Sequence, residues 1–216
     1  MAIDIYTVGH STQPFEKFLN LLQKQGVNAI ADVRSAPYSR FNPQFNREEL
    51  RSALKANGIR YVFLGKELGA RSEDECCYVD GKVQYKLLAR TPLFQSGISR
   101  VLEGAETHRI SLMCAEKDPL DCHRTILVAR ELMNRGAAVT HILQDGLTES
   151  HHDAISRLIS KLGLAEADMF RSEEITVDDA YDQQGDRIAY DRKTGRGTPV
   201  KDAAVAYNEE DEEDEE

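Results

Sequence analysis

The feature that most limits the fold is a threefold alternation at the start of the chain. Ile3 to Val8 is a short apolar run, followed by Phe15, Phe18, Leu19 and Leu22 at the i, i+3, i+4, i+7 spacing of one helix face. Pro14 suits that helix's first turn and Gly26 its end. A second apolar run, Val27 to Val33, leads to Asn46 with Glu49 three residues on, a cap for a helix reaching Asn57 and stopped by Gly58. Arg60 to Leu64 is the third run. Strand, helix, strand, helix, strand in this order predicts a parallel sheet joined by right-handed crossovers.

The remainder continues the pattern. Gly65 to Gly81 reads as a long polar loop of the lid or binding type, carrying Cys76, Cys77 and Tyr78. Gln84 to Arg90 and Leu93 to Leu102 read as helices broken around Thr91-Pro92. Arg109 to Met113 is a fourth strand, Thr125 to Arg135 a helix ended by Gly136, and Ala138 to Leu143 a fifth strand. Ser150 to Leu162 places Ile155, Leu158, Ile159 and Leu162 on one helix face, and a short amphipathic piece beyond Phe170 would wrap the domain. The expectation is one three-layer α/β domain over residues 1–191, Rossmann-like, with a mainly parallel central sheet of about five strands. Residues 192–216, Gly- and charge-rich and ending in eight consecutive acids, are expected to be a disordered acidic tail.

That tail dominates the charge. The formal net charge is −10, but Lys201 to Glu216 holds nine acids and one lysine, a net −8, leaving about −2 for everything before it. A near-neutral body has no global field that selects for or against nucleic acid. Four cysteines, no secretory leader and no apolar run of membrane-spanning length suggest a cytoplasmic protein with free thiols and no membrane partner.

Reactive groups are densest in Met113-Cys114-Ala115-Glu116-Lys117-Asp118-Pro119-Leu120-Asp121-Cys122-His123-Arg124, a strand-to-helix connection. In a parallel sheet the carboxyl ends of strands one, two and four bring His10 and Ser11, Asp32 and Arg34, and Cys114 and Glu116 to one edge, where ligands bind. Asp121 is typed as a helix N-cap. It would make Cys122 the first helical residue, where free amides, His123 and Arg124 favour a reactive thiolate. The leading expectation is an enzyme for a phosphate-bearing ligand, nucleotide or nucleic acid. Cys122, His10, Asp32, Glu116 and His123 would be catalytic, and Arg34, Arg40, Arg124, Ser11 and Tyr38 would bind substrate. No Walker loop, dinucleotide glycine fingerprint or phosphatase loop is present.

Two other readings stand beside it. Cys114, Cys122 and His123, with His10 or Cys77 as a further donor, suit zinc or iron, although seven residues between the cysteines match no common zinc knuckle. The stretch Arg34 to Arg47 alternates Arg34, Arg40 and Arg47 with Tyr38, Phe41 and Phe45. Such a stretch suits a non-catalytic nucleic-acid or protein-binding module. The plainer expectations are Cys114 as a small core residue, loop aromatics pinned to the core, and His151-His152 as a solvated pair.

The chain also resembles a known family, the bacterial and archaeal proteins grouped as domain of unknown function 488. Carrying the resemblance are Thr7-Val8-Gly9-His10-Ser11, Asp32-Val33-Arg34, Pro37-Tyr38-Ser39-Arg40, Asn42-Pro43-Gln44-Phe45-Asn46, Tyr61 to Leu64 with Leu68-Gly69, Cys77-Tyr78 with Gly81, and Met113 to Arg124. His141-Ile142, Asp145-Gly146, Ala180-Tyr181 and Ile188-Ala189-Tyr190 are similar as well. The resemblance spans roughly residues 3 to 191. It departs at Ala70, where a second glycine is common. It implies a compact α/β domain with recurring positions at His10, Asp32, Arg34, Cys114, Glu116, Cys122, His123 and Arg124, and it names no activity.

Overall fold

The computed structural model describes residues 3–164 and 172–195. In chain order the strands are β1 (Asp4–Gly9), β2 (Ala29–Asp32), β3 (Arg60–Phe63), β4 (Tyr78–Val79), β5 (Lys82–Val83), β6 (Ile110–Cys114), β7 (Ala138–Ile142) and β8 (Thr148–Ser150). The α-helices are α1 (Phe15–Lys24), α2 (Arg47–Ala56), α3 (Gly65–Leu68), α4 (Tyr85–Leu88), α5 (Pro92–Ala105), α6 (Arg130–Asn134), α7 (His151–Lys161) and α8 (Glu173–Ile188). The central sheet runs β3-β2-β6-β1-β7-β8, with the first five strands parallel and β8 antiparallel to β7.

Alternation within the strands assigns the layers. Val8, Ile30 and Met113 point to one face, where Phe18 and Leu22 of α1 and Leu50 and Leu54 of α2 cover them. Ala31, Leu112 and Cys114 point to the other, against Leu68, Leu88, Phe94, Ile98 and Val101 from α3, α4 and α5. A third apolar cluster joins α7 to α8 through Leu158, Ala180, Tyr181 and Ile188, with Leu120 and Ile126 between them. This is the three-layer α/β arrangement.

The sheet has six strands where about five are expected. Ser150 explains the missing one: it ends the three-residue β8 and also caps α7, its Oγ accepting the Asp153 N–H at 3.0 Å. So short a strand carries no readable period. The stretch from Gly65 to Gly81 is likewise not a bare loop, for it holds α3, a 3₁₀ turn at Glu75–Cys77 and most of the β4–β5 hairpin. The piece expected beyond Phe170 is the 16-residue α8, while Phe170 itself and residues 196–216 of the expected tail lie outside the described residues.

β1 leads through α1 to β2 on one side, whereas its neighbour β6 leads to β7 on the other. Adjacent strands whose connections part in this way leave a crevice at their carboxyl ends.

Candidate active site

The two walls of the crevice are stitched together by backbone. His10 N–H donates to Cys114 O and Ser11 N–H to Ala115 O, both at 2.9 Å. Gly9 makes this approach feasible, since a Cβ there would lie 1.9 Å from the Glu116 carbonyl oxygen. Arg124 closes the far side. Its buried guanidinium donates to Glu116 O at 2.8 Å and to Lys117 O at 3.5 Å, so it clasps the loop and does not face a ligand as expected.

The cap of the next helix is one residue later than the sequence suggests. Asp118, not Asp121, caps a 3₁₀ turn (Pro119–Asp121), and Cys122 is extended at φ −135°, ψ 139°. Its carbonyl accepts from Thr125 and Ile126, and its Sγ accepts the Arg124 N–H at 3.4 Å. From there a π-helical stretch, Arg124–Ala129, runs into α6 with all six of its residues buried. A helix buried on every side has no polar stripe to fix its turn in the sequence.

Cys114, Cys122 and His123 form one cluster. His123 Nε2–H donates to Val33 O at 3.0 Å, because a carbonyl only accepts, and Nδ1 lies 3.7 Å from Cys114 Sγ and 4.0 Å from Cys122 Sγ. The ligating atoms of all three residues lie within 4.8 Å of one another. Glu116 stands beside them, its Oε2 2.9 Å from Cys122 Sγ. Burial opposes ionisation of both thiols. At Cys122 the hydrogen bond from Cys114 and the charges of Arg124 and His123 outweigh it, holding this pKa well below the ordinary value, while Cys114 is pushed well above. Burial and the neighbouring Cys122 raise Glu116 to about 7.

A second chain runs along the β2 side. Asp32 is fully buried and accepts from Arg34 Nε at 2.9 Å, Arg34 Nη2 at 2.5 Å and Tyr61 OH at 2.7 Å. Arg34 Nη1 then donates to His10 Nε2 at 3.1 Å, and His10 Nδ1–H donates to Ser11 O at 2.8 Å. His10, stacked on Phe45 with centroids 4.4 Å apart, is thus a neutral imidazole with both nitrogens engaged. Burial and then Arg34 lower its pKa to about 3. Asp32 and His10 orient Arg34.

The cavity at this edge, about 90 Å³, is lined by His10, Arg34, Tyr38, Cys114, Glu116 and His123 among the expected residues. Cys122 is not among them. Cys122 is fully buried, and Cys114, packed in the core as expected, is the sulfur that also borders the cavity. Ser11 and Arg40 also stay outside; Arg40 is exposed and lies over the Phe41 ring at 4.7 Å. Cys77 is buried in the core, and neither it nor His10 joins the three-donor cluster.

The sequence reading missed Ser35, Arg71 and Tyr85, and did not give Tyr190 a role in the site. Arg71 lies over the Tyr190 ring at 4.8 Å, its N–H donates to Ser35 Oγ at 3.1 Å, and no carboxylate pairs with it among the described residues. Tyr85 borders the cluster, and burial, followed by the charges of Cys122, Glu116 and Cys114, raises its pKa well above the ordinary value, so its O–H stays a donor. Only the Ile188-Ala189-Tyr190 resemblance pointed toward any of these. Tyr85 sits in a four-residue helix with no periodic mark.

Fold and site together define a three-layer α/β protein with a titratable cluster at the carboxyl edge of a parallel sheet. The chain belongs to the family described as domain of unknown function DUF488, whose model matches residues 14–130. The match takes in β2, β6 and the whole Cys114 to Arg124 segment, and leaves His10 and Tyr190 outside. Comparison with curated proteins and with solved structures returned no match. No helix among the described residues is long and apolar enough to cross a membrane.

Proposed function

We propose that the chain is an enzyme acting on a phosphate-bearing ligand of nucleotide type, bound in the cleft at the ends of β1, β2 and β6. One observation carries this reading: a single cavity joins a cation that no carboxylate pairs among the described residues, aromatic rings and a reactive floor. Arg71 over Tyr190 supplies the cation and one ring, half-exposed Tyr38 supplies a rim, and Cys114, Glu116 and His123 make the floor. Arg71 takes the anion-binding part expected of Arg124, whose two terminal guanidinium nitrogens donate to backbone carbonyls. Arg34 faces the same cavity with its charge largely answered by Asp32. A base stacks on tyrosine faces while a phosphate meets guanidinium.

The test is calorimetric titration with nucleoside monophosphates and with short single-stranded oligonucleotides. Binding is expected, weakened about tenfold or more by Arg71→Ala, in keeping with the loss of a charge-assisted contact. Binding that Arg71→Ala leaves untouched, or no binding of either ligand, removes the proposal.

A nucleophilic Cys122 is supported by its favoured ionisation but opposed by its burial. Iodoacetamide decides: faster modification of Cys122 than of a free thiol at neutral pH supports the nucleophile, and slower modification removes it. The non-catalytic binding module is favoured by the exposed Phe41 under Arg40. For that module, Arg40→Ala should weaken oligonucleotide binding and flatten its salt dependence while Arg71→Ala does not.

A further inference from the structure

We propose that Cys114, Cys122 and His123 are the protein ligands of one divalent metal ion of the zinc class, with the fourth coordination position open to the cavity. Three geometric facts point there.

The first is the separation of the donors. Zinc–sulfur and zinc–nitrogen bonds of about 2.3 and 2.0–2.1 Å at a tetrahedral angle place sulfur and nitrogen about 3.6 Å apart. Here His123 Nδ1 is 3.7 and 4.0 Å from the two sulfurs, so a small inward turn of the Cys122 side chain completes the set. The three donors come from the end of β6 and the start of the following helix, both packed on all sides, so the geometry is held by the fold.

The second is the outer shell. A metal-binding imidazole donates its remote N–H to a carbonyl or carboxylate, which fixes the tautomer and aims the other nitrogen's lone pair. His123 does this through Val33 O at 3.0 Å. The Arg124 N–H donating to Cys122 Sγ at 3.4 Å gives one sulfur the amide contact that suits a coordinated thiolate, and the buried Arg124 guanidinium adds a positive charge nearby.

The third is access. Cys114 and His123 line the cavity while Cys122 closes it from behind, so a bound ion would sit in the floor with one side toward the cleft. Three protein ligands with an open position is the arrangement of a catalytic zinc and not of a closed structural one. Two soft sulfurs and an imidazole select zinc over magnesium, calcium or manganese. Glu116 lies outside the donor set but faces the same cavity.

The inference deepens the proposed function and rests on it only for what the metal acts upon. Metal binding is therefore measured without any nucleotide. The full chain is purified without chelator from zinc-supplemented cells, and the apo protein is titrated with cobalt(II). About one zinc per chain is expected, and the cobalt form should show thiolate charge-transfer bands with the intense visible bands of a four-coordinate ion. Cys114→Ser should lose metal affinity by more than the roughly 10–100-fold that an outer-shell change costs, while Cys77→Ser and Glu116→Gln keep the metal. X-ray absorption on the wild-type zinc protein needs no variant to fold and should count two sulfur ligands. Zinc well below one per chain after reconstitution, a metal without sulfur neighbours, or a folded Cys114→Ser that binds as tightly as wild type each overturn the metal site. None of these bears on whether nucleotides bind at Arg71, which the titration above decides separately.

Discussion

His151 shows how a single side chain in this fold becomes pH-sensitive. It is buried between His141, whose Nε2 is 3.1 Å from its Nδ1, and Tyr181, whose hydroxyl is 2.6 Å from its Nε2, and Thr7 Oγ1 extends the chain to His141 Nδ1 at 2.8 Å. The sequence expectation of a solvated His151-His152 pair holds only for exposed His152. Burial lowers the His151 pKa to about 4. Between that value and about 6.5 the unfolded imidazole binds a proton that the folded one refuses, so stability is complete above about 6.5 and falls as pH falls, levelling off below about 4. Glu116, raised to about 7, slopes the other way, so the useful quantity is a difference between proteins. Urea unfolding of wild type and His151→Gln should diverge through that window by roughly 3 kcal/mol, the wild type losing more on acidification. Parallel curves would show that His151 titrates alike in both states.

At the scale of elements, two glycines separate crowding from backbone conformation. An added Cβ at Gly9 would overlap the Glu116 carbonyl in the junction between β1 and β6, whereas at Gly58, after α2, it would meet nothing within 4 Å but would sit at φ +72°. Overpacking against backbone should make Gly9→Ala cost about 3 kcal/mol or more, and left-handed strain should make Gly58→Ala cost about 1–2 kcal/mol. Only Gly9→Ala should also reduce metal uptake and ligand binding, because only Gly9 holds the site's two loops together. Equal losses at both positions in urea unfolding, with the site intact, would sink this distinction. The same elements show what a sequence discloses. α1, α2, α7 and the strands β1, β2, β3, β6 and β7 each carry a readable apolar period or run, and their order gives the sheet and its ligand-binding edge. The three-residue β8, four-residue α3 and α4, and two-residue β4 and β5 are too short for any period. Within the site, the sequence brought His10, Arg34, Cys114, Glu116 and His123 to one edge correctly. It placed the cap at Asp121 and not at Cys122 because a cap is recognised by an oxygen-bearing side chain, and here a sulfur takes that place. Arg71 and Tyr85 come from elements whose positions are set only by tertiary packing.

For the molecule as a whole, the decisive question is what seats α8, since Ile188 and Tyr190 at its end form a wall of the cavity. Two kinds of contact compete for the role. Lys82–Asp186, Lys86–Asp182 and Arg130–Asp178 pair α8 with the rest of the chain at the surface, and such pairs contribute about 0–1 kcal/mol each and are screened by salt. Beneath them Ala180, Tyr181 and Ile188 pack on Leu120, Ile126 and Leu158, and fully buried Gln184 donates to Leu120 O at 2.8 Å. Truncating one large aliphatic residue in such a cluster costs about 2–5 kcal/mol, more than any one of the pairs. The apolar layer should therefore govern. Hydrogen exchange of the α8 amides is expected to change little between low and high salt in the wild type, but to quicken markedly in Ile188→Ala while the β6 amides stay protected. Nucleotide affinity should fall in that variant, since the wall moves with the helix. If high salt alone releases α8, or if Ile188→Ala quickens α8 and β6 equally, the wall is not a separately seated element, and the cavity's shape belongs to the cooperative core.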